Sequence, residues 1–217
     1  TGAPEVVVAV IDTGILNHPD LAGQLVDGYD FVSNIDSAMD GDGIDPDPRD
    51  PGNSLGGSSS SFHGTHVTGI VAARGNNQIG IAGAAYGSRV MSLRGLGTNG
   101  EGTSYDINQA VRYAAGLPND SGTVPQRRAD IINLSLGGAP FSRSTQELYE
   151  AVQAAGVVVV AAAGNEASSA PLFPAGYDGV ISVSAVDGQR RLASYSNTGP
   201  NIDVGAPGGD NSTDLDG

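Results

Sequence analysis

Val6-Val7-Val8-Ala9-Val10-Ile11 is the stretch that most narrows what this chain can fold into. It is continuously apolar and rich in β-branched residues, so both faces of a strand formed there must be covered. That is the pattern of a central strand in a parallel sheet rather than of a half-exposed antiparallel one. The run ends at Asp12-Thr13-Gly14. A carboxylate just past the carboxyl end of such a strand stands where open α/β sheets keep their ligand crevice, although an aspartate there can also simply form a turn.

The rest of the chain alternates strands with helices. Strands are expected at Arg89 to Arg94, Asp130 to Leu136, Val157 to Ala162 and Val180 to Ala185. Helices are expected at His63 to Ala73, Thr103 to Ala115 and Ser144 to Ala155. In the last, Ser144-x-x-Glu147 forms a capping-box pattern and Gly156 closes the helix. Alternation of this kind implies a parallel α/β sheet with right-handed crossovers. With 217 residues and neither an internal repeat nor a linker, the chain reads as one domain, 1–217. The segment Phe62-His63-Gly64-Thr65-His66-Val67-Thr68-Gly69-Ile70-Val71-Ala72-Ala73 is so poor in charge that a buried central helix is expected, with His63 at its head facing a cleft.

Composition excludes several classes of function. A formal charge of −14 argues against a nucleic-acid partner and makes a cation such as calcium a natural one. Cys 0 rules out disulfides and thiolate chemistry. The longest apolar run, Val157 to Ala163, is far short of the ~20 residues a membrane span needs. Without an initiating Met, the sequence reads as a processed or excised chain. Asn34 to Ser61 forms a long acidic loop holding Asp36, Asp40, Asp42, Asp45, Asp47 and Asp50. Its Asp40-Gly41-Asp42-Gly43 start lacks the later ligands of an EF-hand, which leaves a solvated loop or another kind of metal site.

Three polar groups fall where strands or helices meet the expected crevice: Asp12, His63 and Asn165. A carboxylate can fix the tautomer of an imidazole, the imidazole can act as general base, and an amide N–H can donate to a developing oxyanion. Those are the parts of acyl transfer, less the nucleophile. His66 follows His63 by three residues, but zinc-protease helices need i, i+4 spacing and a Glu after the first His, where Gly64 stands. His66 therefore reads as a packed core histidine and His18, in His-Pro-Asp-Leu, as a residue that shapes a turn.

Val-Ile-Asp12-Thr-Gly, His63-Gly-Thr-His-Val-Thr-Gly and Ala-Ala-Gly-Asn165 resemble, in order, three motifs of the subtilisin-like serine proteases, the subtilases. Asn133-Leu134-Ser135-Leu136-Gly137-Gly138 is similar to that family's substrate-lining strand and Leu96 to Gly102 to the strand facing it. Asn197-Thr198-Gly199-Pro200 and Ala206-Pro207-Gly208 match the approach to the nucleophile. The resemblance covers nearly the whole chain. It implies a three-layer α/β fold, with a mostly parallel sheet and helices on both faces, and a secreted, extracellular endopeptidase of the bacterial type.

By the same resemblance Asp12 supports His63, His63 is the general base, and Asn165 donates to the oxyanion. Gly100, Glu101 and Gly102 would hold an extended peptide against Ser135, Leu136 and Gly137, while Ala162, Ala163 and Gly164 leave an S1 pocket open to large apolar groups. Asp20 with Gly75, Asn77, Ile79 and Ile81 matches the family's calcium site. The family's Gly-Thr-Ser-Met-Ala nucleophile segment is not in this sequence. Gly102-Thr103-Ser104 opens a different helix and reads as its cap. The expectation is therefore a catalytic domain cut short on the C-terminal side, and on the N-terminal side as well. Its partners would be a protein or peptide substrate, a companion chain carrying the serine, and a propeptide during maturation. A non-catalytic peptide-binding relative is the alternative.

Overall fold

The computed structural model describes residues 1–54 and 59–210. They form two compact units, Thr1–Asn133 with Ala155–Val157, and Leu134–Ala154 with the chain from Val158 on. In the first unit the elements are β1 (Val7–Asp12), β2 (Leu25–Asp30), the short α1 (Ile35–Ala38), α2 (His63–Ala72), β3 (Arg89–Arg94), α3 (Ser104–Ala114) and most of β4 (Ile131–Leu134). In the second they are α4 (Arg143–Ala154), β5 (Val158–Ala162), β6 (Ile181–Val186) and β7 (Val204–Pro207).

The strands of the first unit run in the order β2, β3, β1, β4, all parallel. As the apolar run predicts, β1 is central and buried along its whole length. The period-2 alternation of a strand divides its side chains. Val8 and Val10 pack with Val90 against Ala72, Val67 and Val71 of α2. Ile11 faces the other way, toward Gly95 and Ile107 of α3. This sheet thus carries helices on both faces, and Asp12 falls on the α2 face. In the second unit β5, β6 and β7 form a parallel set in that order, with α4 against β5.

Two strands not expected from the sequence are β2 and β7. Both lie at the edge of their unit's sheet and contain Gly with charged residues or Pro, so neither shows an apolar run. Helix α2 is not buried all round. Gly64, Thr68 and Ala72 form its buried stripe, at i, i+4 spacing, whereas Ile70 is 50% exposed. Low charge in this helix reflects close backbone packing on one side rather than complete burial. Helix α4 is capped two residues earlier than expected. Ser142 Oγ accepts the Thr145 N–H at 3.4 Å, and Glu147 instead bonds Arg143 one turn back. Thr103 does cap α3, its hydroxyl accepting from Asp106 N at 3.0 Å.

The acidic loop is stitched to the sheet rather than solvated throughout. Asp45 exchanges backbone hydrogen bonds with Asp30, and Pro48 and Asp50 bond across to Ile15. Arg94, at the end of β3, is 1% exposed and its guanidinium bonds Asp30, Asp40 and the Ala38 carbonyl.

Candidate active site

Asp12 closes β1 and His63 opens α2. The His63 Nδ1 lies 2.8 Å from both carboxylate oxygens of Asp12. The carboxylate, 1% exposed, also accepts the Thr13 N–H at 2.7 Å. Because an ionised carboxylate only accepts, Nδ1 carries the proton and Nε2 is left as the basic nitrogen. The hydrogen bond to Asp12 holds the imidazole pKa above its ordinary value, against the pull of partial burial. The His63 side chain is 46% exposed, so the ring is open to a reactant.

Gly64 lets the helix come this close to the strand end. A Cβ there would overlap the Gly14 carbonyl oxygen and stand 3.1 Å from the Asp12 Cβ. A second link joins the two elements. The Gly64 N–H donates to Thr13 Oγ1 at 3.1 Å, and that hydroxyl donates to Asp50 Oδ2 at 2.6 Å. Asp50 is itself 4% exposed and accepts the Gly52 N–H. Thr13 and Asp50 thus brace the dyad from behind. Thr13 stands inside a motif that marks it, but nothing in the sequence separates Asp50 from the other loop aspartates.

His66 is exposed, not a core histidine, because it lies on the helix face opposite the Gly64–Thr68–Ala72 stripe. His18 does shape a turn, its Nδ1 accepting from Asp20 N at 3.2 Å.

The remaining expected residues divide between the units. Gly100, Glu101 and Gly102 belong with the dyad's unit, but they do not form a strand. Thr98–Gly100 is a 3₁₀ turn, closed by Gly97 N to Glu101 O at 2.8 Å, with Asn99 and Gly100 at positive φ. Only Glu101 and Gly102 run on without regular structure, both exposed. The glycines at both ends of this segment favour a turn over a ladder. In the second unit, Ser135, Leu136 and Gly137 continue past β4 without regular structure, the first two half-buried. Ala162 ends β5, Ala163 is buried and bonds Val183 O, and Gly164 adopts φ +113°. Asn165 follows in an exposed bend.

The carboxylate of Asp20, 3% exposed, accepts from Asn77 Nδ2 at 2.7 Å and from Ile81 N at 3.1 Å. The Asn77 bond holds its pKa below the usual carboxylate range, with burial opposing. The loop forms an open pocket of about 280 Å³ lined by Arg74 and Asn76 through Ala82, a lining from which both Asp20 and Gly75 are absent. Buried carboxylate, amide and carbonyl oxygens are the donor types a calcium ion takes. For the Asn77 amide to join such a set, it must turn its oxygen, which now accepts the Ile79 N–H, toward Asp20. Carboxylates of Asp30, Asp40 and Asp45 also converge. There the buried Arg94 guanidinium supplies the positive charge.

A family model described as the subtilase family matches residues 3–216. The chain is 46% identical over 204 residues to the thermophilic serine proteinase of Bacillus sp. (strain AK1), covering 94% of this chain and 44% of that one. It is 43% identical to an extracellular protease of Xanthomonas campestris, over 93% of this chain and 37% of the relative. Identity to thermitase of Thermoactinomyces vulgaris is 38%, over 93% and 62% respectively. Among solved structures, a protease from Pseudoalteromonas arctica superposes with a TM-score of 0.91 at 42% identity, covering 95% of this chain and 64% of that one. The chain spans from 37% to 64% of the length of these proteins.

Proposed function

The chain belongs to the subtilase family, and from that premise we propose that it supplies the proton-transfer machinery of a secreted serine endopeptidase. The observation that carries this reading is the Asp12 carboxylate on His63 Nδ1, with the ring open to a reactant. In the proposed reaction Nε2 takes the proton of a serine hydroxyl as its oxygen attacks the scissile carbonyl. Asp12 stays ionised and stabilises the imidazolium that forms. The tetrahedral intermediate collapses to an acyl-enzyme, and the imidazolium gives its proton to the leaving amine. Water then enters by the same base and releases the acid.

Asn165 donates to the oxyanion, a group worth ~3 kcal/mol in such enzymes. The attacking serine belongs to a segment outside these 217 residues, in the same polypeptide or in a companion chain. A propeptide accompanies maturation. The substrate is an extended peptide held by the main chain of Gly100, Glu101 and Gly102 and of Ser135, Leu136 and Gly137. Its P1 side chain is large and apolar, because Ala162, Ala163 and Gly164 have little bulk. Extracellular action agrees with the Xanthomonas campestris relative, which is an extracellular protease.

Asp20 and Asn77, with carbonyl oxygens of Gly75, Ile79 and Ile81, would hold a calcium ion that cross-links the loop and supplies stability rather than chemistry. Hydrolysis of a peptide anilide tests the reading. The protease carrying this chain should cleave it, and His63→Ala should lower kcat by on the order of 10⁶-fold. Full activity in the His63→Ala variant would refute it. Peptide binding without turnover by the unaltered protein would instead identify a non-catalytic relative.

A further inference from the structure

Asn165 is exposed, and among the described residues its side chain makes no hydrogen bond. Its amide can be aimed only by the backbone that carries it. That backbone is held from below by one buried side chain, Asn197, which is 2% exposed. The Asn197 Nδ2 donates to the Ala163 carbonyl at 3.0 Å and to Glu166 Oε2 at 2.8 Å. Its Oδ1 accepts the Glu166 N–H and the Ser168 N–H, both at 3.0 Å. Its own backbone N–H donates to the Gly164 carbonyl at 3.0 Å. These contacts seize the chain on both sides of Asn165, at 163 and 164 before it and at 166 and 168 after it.

Only an amide side chain does this. The turn presents carbonyl oxygens on its entering side and N–H groups on its leaving side, so the clamp must donate and accept at once. A serine has one donor and too little reach, and an aspartate has no donor for the Ala163 carbonyl. Gly164 completes the fit. A Cβ there would overlap Asn197 Nδ2, Glu166 Oε2 and Leu172 Cδ2, and φ +113° already favours glycine. The segment that carries Asn197 is fixed in turn by Ala167 N to Tyr195 O at 2.9 Å and Thr198 N to Ser168 O at 2.8 Å.

We propose that Asn197 is the positioning residue for the Asn165 oxyanion donor. The proposal rests on the oxyanion role given to Asn165 above. An oxyanion donor is effective because it needs no reorganisation when charge develops. A side chain with no anchor of its own gets that preorganisation from its turn, and Asn197 supplies it by bonding both flanks.

A double-mutant cycle in the active protease carrying this chain tests the proposal, with kcat and KM measured on a peptide anilide. Asn165→Ala should lower kcat ~10²–10³-fold with little change in KM. Asn197→Ala should lower kcat on the order of 10- to 100-fold, again with little change in KM. In the Asn165→Ala background the same Asn197→Ala change should alter kcat by no more than about twofold, because the group it aims is gone. An equal loss in both backgrounds, or no loss in the parent, would overturn the proposal and leave Asn197 a structural residue. If Asn165→Ala alone leaves kcat unchanged, the oxyanion assignment fails instead. Should Asn197→Ala not fold, Asn197→Asp replaces it. That variant keeps the acceptor for the Glu166 and Ser168 N–H groups, loses the donor to the Ala163 carbonyl and sets a carboxylate against that of Glu166. A kcat loss that again disappears without Asn165 supports the proposal, and a background-independent one refutes it.

Discussion

Replacing Gly64 with alanine sets two opposing effects against each other, and the structure decides between them. In a helix alanine is favoured over glycine by ~1 kcal/mol, which argues for stabilisation. At this position, however, the added methyl overlaps the Gly14 carbonyl oxygen, and Gly14 is itself hemmed in, since a Cβ there would overlap the Pro48 carbonyl oxygen. Restoring ordinary carbon–oxygen contact requires roughly 1 Å of movement of α2 away from β1. The neighbouring His63 Nδ1, now 2.8 Å from the Asp12 oxygens, would pass beyond hydrogen-bond reach. Overpacking of this size costs ~1–3 kcal/mol, so the net change is destabilising by up to about 2 kcal/mol. For a chain of this size that lowers Tm by a few degrees, at ~2–4 °C per kcal/mol. A misplacement of ~1 Å costs on the order of 10²-fold in kcat.

Gly69→Ala is the control. It lies on the same helix, and a Cβ there meets nothing within 4 Å. It should keep full activity and raise Tm slightly. Thermal unfolding followed by circular dichroism, with kcat on a peptide anilide, reads both variants. If Gly64→Ala were as active as Gly69→Ala and equally stabilised, the close-approach argument would be wrong.

Asp12→Asn should lower kcat/KM by on the order of 10⁴-fold and shift the NMR titration of His63 downward, since the bond that raises its pKa is lost and burial remains. The raised folded pKa stabilises the protein fully below pH ~6.5 and ceases to do so as pH rises through the folded value, so the variant loses more stability at pH 5 than at pH 9. With the ring almost half exposed, that difference stays within about 1 kcal/mol. Arg94→Met should cost ~3–5 kcal/mol in urea unfolding, because it strands the fully buried Asp30. Burial pushes the Asp30 carboxyl up to about 7, so the folded state keeps a proton that the unfolded chain has lost. Stability from this group therefore falls as pH rises from ~4 toward 7, and the Arg94→Met loss should be larger at pH 8 than at pH 5. If the proposed site binds calcium, the ion should raise Tm over EDTA, and Asp20→Ala should abolish that rise. That rise reflects ~2.7 kcal/mol at a hundredfold excess over Kd.

What could be read from the sequence was whatever a single segment decides. Val6 to Ile11 announces a strand buried on both faces, but Asp12 at its end reads by itself as a turn former too, and only the resemblance of the surrounding motifs to the subtilases pairs it with His63. Edge strands carry no such mark. Leu25–Asp30 has a neighbouring strand on one side only and tolerates Asp27 and Gly28. Small residues also mislead. Gly64, Thr68 and Ala72 signal a close approach on one helix face, and the opposite face carries the exposed His66 and Ile70. Contacts between distant segments were not legible at all. Asp30, Asp40 and Asp45 look like solvated charges until Arg94, at least 49 positions later, is placed among them. Asn197 reads as a loop residue until the turn at 163–168 folds onto it.

The claim that His63 serves a serine from outside these residues is tested most directly by a fluorophosphonate probe with mass-spectrometric mapping of the adduct. The isolated 217-residue chain should take up no probe. The active protease that contains it should be labelled at one serine outside these 217 residues, and His63→Ala should abolish that labelling. An adduct on any serine within residues 1–217 would contradict the account.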